Sequence, residues 1–168
     1  QNNTKVLANH FILNPEDRRI WIEGGNNANH VFSNNVVENG AMSIGHGGGK
    51  KVIVVNNLFK NLPEHIAVDM AGCKEFMFLN NIIEFATEVS YAIHIWNNKL
   101  PNNKLTITNN QFSNALTITY FQNIASGPFD VYNILLTNNI ISATSNVPTA
   151  YTQTPYMVFH NFIENNNI

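Results

Sequence analysis

Val52-Ile53-Val54-Val55-Asn56-Asn57-Leu58-Phe59 and Phe76-Met77-Phe78-Leu79-Asn80-Asn81-Ile82-Ile83 are two copies of one pattern: a strand-like apolar run, an Asn pair, then a second apolar pair. The same unit recurs around Asn34-Asn35, Asn109-Asn110 and Asn138-Asn139, so successive pairs stand 22, 24, 29 and 29 residues apart. Asn9-His10 lies 25 residues before this series and His160-Asn161 lies 22 after it, which extends the expected pattern to about seven repeats. A period of this length marks a chain built from stacked supersecondary units, each covering the apolar face of its neighbour.

The runs before the pairs, including Leu105-Thr106-Ile107-Thr108 and Ile134-Leu135-Leu136-Thr137, alternate with period two and are rich in β-branched and aromatic residues, as strands are. Val54, Phe78, Ile107 and Leu136 are expected to point inward. After the pairs, Val37, Phe59, Ile83, Phe112 and Ile141 occupy equivalent slots and form a second strand. A third lies upstream, at Ile20-Trp21-Ile22-Glu23, Met42-Ser43-Ile44-Gly45, Ile66-Ala67-Val68-Asp69, Ile93-His94-Ile95-Trp96 and Leu116-Thr117-Ile118-Thr119. In the first three of these the last residue sits 11 positions before the Asn pair.

Three short strands per repeat predict an all-β fold, a right-handed parallel β-helix solenoid of about seven coils, with residues 1–168 as one domain. Asn suits its corners, because it tolerates left-handed backbone angles and its amide can bond to the same amide one coil away. The six prolines, at positions 15, 63, 101, 128, 148 and 155, fall outside the expected strands. A β-sandwich also has many short strands but gives no reason for Asn pairs at a fixed offset.

Of the 168 residues 44% are hydrophobic, 12% are charged and 31 are asparagine. A net charge of −2 gives no electrostatic reason to expect nucleic acid or an anionic membrane surface as partner, and no apolar run approaches the ~20 residues of a membrane span. Cys73 stands alone, and the first residues do not read as a signal peptide. The pattern runs close to both ends, so the chain is expected to belong to a longer protein or to be capped by partners.

The Asn-Asn-x-Phe/Ile repeat resembles that of the pectate-lyase-like superfamily, which includes polysaccharide lyases, polygalacturonases, epimerases and phage tailspikes. The resemblance covers almost the whole chain and is architectural. It implies a polysaccharide partner and a place outside the cell, on the cell surface or on a virion. Ser43-Ile44-Gly45-His46-Gly47 also resembles, loosely, the Ser-Ile-Gly and Gly-His-Gly segments of polygalacturonases, but that family's paired-aspartate and Arg-x-Lys motifs have no counterparts.

Outward residues of the third strand should form columns that rise one coil per ~4.8 Å. One column would hold Trp21, Ser43, Ala67, His94 and Thr117, and its neighbour Glu23, Gly45, Asp69, Trp96 and Thr119. Glu23 and Asp69, two coils apart, would be spaced for a carboxylate acid/base pair of the inverting kind, with His94 in support. Trp21 and Trp96 offer flat faces for pyranose rings. His46, Lys50 and Lys51 are further candidates for substrate contact. A lyase would also call for calcium, although no tight group of three acidic residues occurs.

The outward positions of the first strand, Ile53, Val55, Met77, Leu79 and Leu135, form an apolar face expected to be covered by two further copies in a trimer, by flanking domains, or by the stretch 120–131. The function expected is polysaccharide binding, with cleavage as an added activity if the carboxylate pair operates. The alternative is a non-catalytic structural or adhesion solenoid.

Overall fold

The computed structural model describes residues 3–14, 19–22, 29–45, 49–69, 73–97, 104–123, 129–146, 148–153 and 157–168. Within them every regular element is a strand, and the strands form three parallel sheets of 7, 6 and 6 members. Strands adjacent in sequence never pair. Each pairs one coil away, as Cys73–Leu79 does with Gly49–Val55 on one side and Lys104–Thr108 on the other. The chain is therefore a parallel β-solenoid with three strands per coil. Sheets A, B and C are named here in the order one coil visits them, for example through Gly49–Val55, Leu58–Leu62 and Ile66–Asp69.

About five windings close around the core, against the seven expected. Among the described residues, Val6, Phe11, Ile20 and Ile22 at one end are only partly buried, and at the other Met157–Asn165 is the last strand of sheet A. Among the described residues no helix is long and apolar enough to cross a membrane.

The alternation read from the sequence sets the register. Phe32, Val54, Phe78, Ile107 and Leu136 are axial neighbours in sheet A, all at most 2% exposed. Val37, Phe59, Ile83, Phe112 and Ile141 form the matching column of sheet B. Between the two columns the rings of Phe11, Phe32, Phe59, Phe78 and Phe112 follow one another with centroids 6.0–6.3 Å apart, close to parallel. Burying each such ring contributes about 1.5–3 kcal/mol, so this column is a main source of cohesion.

The A-to-B corner divides its work between the two residues of each Asn pair. The first residue supplies the left-handed turn: Asn34, Asn56, Asn80, Asn109 and Asn138 have φ of 54–57°. The second is buried and forms the ladder. The backbone N–H and Nδ2 of Asn57 both donate to Asn81 Oδ1, each at 2.9 Å, while Nδ2 also donates to Phe32 O at 3.0 Å. The same motif repeats from Asn35 through Asn139.

Both ends of the Asn series differ from expectation. Asn9 is a rung, bonded to Asn35, and Ala8 at φ 55° takes the turning position that Asn9 was expected to hold. At the far end Asn166 and Asn167 continue the corner, whereas Asn161 bonds to Asn133 within sheet A. His160-Asn161 is therefore not a corner pair.

On the outer face of sheet A, Ile53, Met77 and Leu135 share one column and Val55 and Leu79 the next, all partly buried by their neighbours. Thr106 and Thr108 interrupt the two columns. Of the stretch 120–131 expected as one possible cover, residues 120–123 belong to the sheet C strand Thr117–Asn123 and residues 129–131 to the sheet A strand Phe129–Thr137, while 124–128 lie outside the described residues.

Candidate functional site

The pairing register of sheet C fixes its columns. Ile22, Ile44, Val68, Ile95 and Phe121 are axial neighbours on the inner face, which turns Trp21, Ser43, Ala67, His94 and Tyr120 outward as the adjacent column. A further column places Asp69, Trp96 and Gln122 side by side. Glu23 and His46 lie outside the described residues.

The first expected column holds from Trp21 to His94 and the second from Asp69 to Trp96, and both fail one coil later. His94 is opposite Tyr120, not Thr117, and Trp96 is opposite Gln122, not Thr119. Thr119 pairs instead with the inward Ile93 and is fully buried, its hydroxyl oxygen without a hydrogen-bond partner. The strand continues to Asn123, so two groups that sequence reasoning left in an irregular stretch become the centre of the outer face.

Around His94 the rings gather. Its centroid is 5.3 Å from Tyr91, 5.1 Å from Trp96, 5.3 Å from His65 and 5.2 Å from Tyr120, the last nearly parallel at 20°. Tyr91 closes the group at 4.8 Å from Tyr120 and 4.9 Å from His65. His94 Nε2 is 2.8 Å from Gln122 Oε1, so its support is the amide of the next coil rather than Asp69. Burial holds both imidazoles below the usual histidine range, and the His94 charge depresses His65 further. Burial, and then the Tyr120 hydroxyl, pushes the Tyr91 phenol up. The cluster is thus uncharged at neutral pH.

Towards the first coil, the small Ser43 and Ala67 are not open: they are 1% and 3% exposed. Arg19 reaches across this stretch, donating to Ser43 Oγ at 3.3 Å, pairing with Glu64 and holding its guanidinium carbon 5.7 Å from the centre of the Trp21 ring. Trp21 itself remains half-exposed. Beside the aromatic cluster, at the B-to-C corner, Pro63, Glu64, His65, Glu88, Ser90 and Tyr91 line an open groove of about 330 Å³.

Lys50 and Lys51 belong to sheet A, in the strand Gly49–Val55, where Lys51 Nζ is 3.2 Å from Glu75 Oε1 and Lys104 approaches the same oxygen at 3.5 Å. Lys51 is therefore neutralised on a different sheet from the tryptophans it was grouped with. Among the described residues no three His, Cys, Asp or Glu side chains converge as metal ligands.

Sequence reasoning found Trp21, Asp69, His94 and Trp96 on one face and missed His65, Tyr91, Tyr120 and Gln122. A usable signal was present in Thr117-Ile118-Thr119-Tyr120-Phe121, whose strand-forming composition runs past Thr119. No family model, curated protein or solved structure matches this chain.

Proposed function

We propose that the outer face of sheet C binds a polysaccharide laid along the solenoid axis, as in the pectate-lyase-like proteins its repeat resembles, and that the protein works outside the cell or on a surface. The observation that carries this reading is the grouping of Tyr91, His94 and Tyr120, three rings within 5.3 Å of each other, with Trp96 5.1 Å from His94, all partly exposed on the outer face. Aromatic faces take the apolar C–H faces of pyranose rings, while Gln122, Ser90 and the tyrosine hydroxyls suit the equatorial hydroxyls. A parallel sheet presents such groups at a fixed ~4.8 Å rise, which favours an extended repeating ligand over a compact one.

Cleavage is proposed at the same surface, with Asp69 beside Trp96 as one carboxylate, Glu23, outside the described residues, as the other, and His94 holding the sugar rather than relaying a proton. Hydrolysis is favoured over lyase chemistry because Lys51 is occupied by Glu75 on another sheet. The test is a glycan array read with wild type, Tyr120→Ala and Tyr91→Ala, followed by a reducing-end assay on any glycan that binds. Binding lost in both variants with unchanged circular dichroism supports the site. Release of reducing ends that disappears in Asp69→Asn supports cleavage, and bound glycans that stay intact refute it.

A second reading, a structural or adhesion solenoid, is favoured by one observation: the apolar columns Ile53–Met77 and Val55–Leu79 on sheet A. Under that reading Met77→Lys lowers the mass measured by light scattering, whereas a wild type that is monomeric at all concentrations refutes it.

A further inference from the structure

The charges around the aromatic cluster point to the class of glycan. Resting on the glycan-binding reading, we propose that this face selects uncharged polysaccharides and rejects polyuronates and sulfated glycans.

Among the described residues, the sheet C strands carry one cationic side chain, Arg19, and it is committed to Glu64. The carboxylates nearby outnumber it. Asp69 adjoins Trp96 in register, while Glu64 and Glu88 both line the corner groove that shares His65 and Tyr91 with the cluster. Glu88 is itself ionised and held in place, accepting from Thr144 Oγ1 at 2.8 Å and from the Ser145 N–H at 3.0 Å. The described lysines lie on sheets A and B, and Lys51 and Lys104 share Glu75 on sheet A. An acidic sugar at the cluster would meet like charge on the groove side and, among the described residues, find no free cation on the strands beneath it. A neutral sugar loses nothing there, because the rings contribute through contact and the imidazoles are uncharged at neutral pH.

The imidazoles also limit the selectivity to neutral pH. Acidification that protonates His65 and His94 adds positive charge beside Glu64 and Glu88 in the groove and near Arg19, Tyr91 and Tyr120, and the bias against acidic glycans weakens.

The experiment is affinity electrophoresis at pH 7.5 and low ionic strength, where screening is weakest, with galactomannan and mixed-linkage glucan as neutral probes and polygalacturonate and alginate as anionic ones. The expected result is retention by at least one neutral probe and none by the anionic pair. Glu64→Gln, which removes a carboxylate and releases Arg19, is expected to raise retention on polygalacturonate at least tenfold, and Glu88→Gln to raise it less. Wild-type retention on polygalacturonate that Tyr120→Ala abolishes would overturn the selectivity and leave the binding reading intact. Unchanged exclusion in both glutamine variants would also overturn it, since charge would not be the cause. Retention by none of the four probes, or retention that neither Tyr120→Ala nor Tyr91→Ala alters, would overturn the binding reading and this inference with it.

Discussion

Replacing Asn81 with alanine should be among the most damaging single changes available in this protein. The Asn81 side chain accepts two hydrogen bonds from Asn57, each 2.9 Å, and donates to Val54 O at 3.0 Å and Asn110 Oδ1 at 3.1 Å. The residue is 1% exposed, so water cannot replace these partners without opening the corner. Asn110 Oδ1 keeps the backbone N–H of Asn81, and Asn57 Nδ2 keeps two carbonyls. The Asn57 N–H is orphaned while the Val54 carbonyl, held in the sheet ladder, loses one of its donors, and at about 1–3 kcal/mol for an orphaned buried group plus about 1 kcal/mol for a lost hydrogen bond the cost is about 2–4 kcal/mol. That is a large part of the ~5–15 kcal/mol that holds a typical domain together.

The adjacent Asn80 provides the control. It is exposed and turns the chain at φ 54°, so Asn80→Gly should be almost neutral and Asn80→Ala should cost about 1–2 kcal/mol through the left-handed backbone alone. Asn81→Asp adds a diagnostic of its own. Its carboxylate would face the Val54 carbonyl and Asn110 Oδ1, which raises its folded pKa, so the penalty is full above that pKa and is relieved as pH falls through it. Urea unfolding followed by circular dichroism measures all four variants. An Asn81→Ala cost below about 1 kcal/mol, or one no larger than that of Asn80→Ala, would refute the idea that the inner Asn column bears the corner's stability.

Four further outcomes follow from the same physics. Gly45 sits at φ +87° with the position of an added Cβ 2.4 Å from the Asp69 carbonyl oxygen, so Gly45→Ala should cost about 2–4 kcal/mol in urea unfolding and weaken glycan binding by displacing Asp69. Thr119→Val removes a buried hydroxyl with no partner at nearly constant shape and should raise stability by about 1 kcal/mol; a loss would place an unseen partner at that oxygen. Burial pushes the Cys73 thiol up to about 12, so a thiol reagent at pH 8 should label it only in denaturant, and rapid labelling of the folded protein would contradict its burial. The Ser145 hydroxyl and then Thr144 hold the Glu88 carboxyl down at about 2, below its ordinary 4.5, so its grip on residues 144 and 145 is complete above pH 4.5 and fades as pH falls towards 2. Amide hydrogen exchange should show those two N–H groups freed in that window, and freed at neutral pH in Glu88→Gln.

The architecture was legible because each coil writes the same instruction at the same place. Asn56-Asn57 and Asn80-Asn81 combine a turn requirement and a stacking requirement in two adjacent residues, and no other common side chain meets both. The interior was legible too, since period-two alternation places Val54, Phe78 and Ile107 without tertiary information. Where the repeat departs from its own rule, reading failed. Ala8 takes a turning position held elsewhere by Asn, and Asn161 imitates a corner pair within sheet A.

The site was harder to read because outward residues obey no repeat. Trp21, Ser43 and Ala67 fall in one column because Glu23, Gly45 and Asp69 each stand 11 residues before an Asn pair, but Trp96 stands 13 before Asn109, and the corner between sheets B and C differs in length from coil to coil. A slip of three residues then put Thr117 where Tyr120 stands. His65 and Tyr91 precede their strands, and only the folded corner brings them beside His94.

The A-to-B corner has a practical consequence. Between Val55 and Leu58, Leu79 and Ile82, Thr108 and Gln111, and Thr137 and Ile140 there are always two residues, although the coils themselves differ in length by up to seven. This edge behaves like the spine of a ring binder: pages of different width hang from holes at one spacing. Cuts made at homologous points on the spine, such as after Asn35 and after Asn57, would define a 22-residue cassette that can be removed, duplicated or exchanged while the next amide still meets its partner.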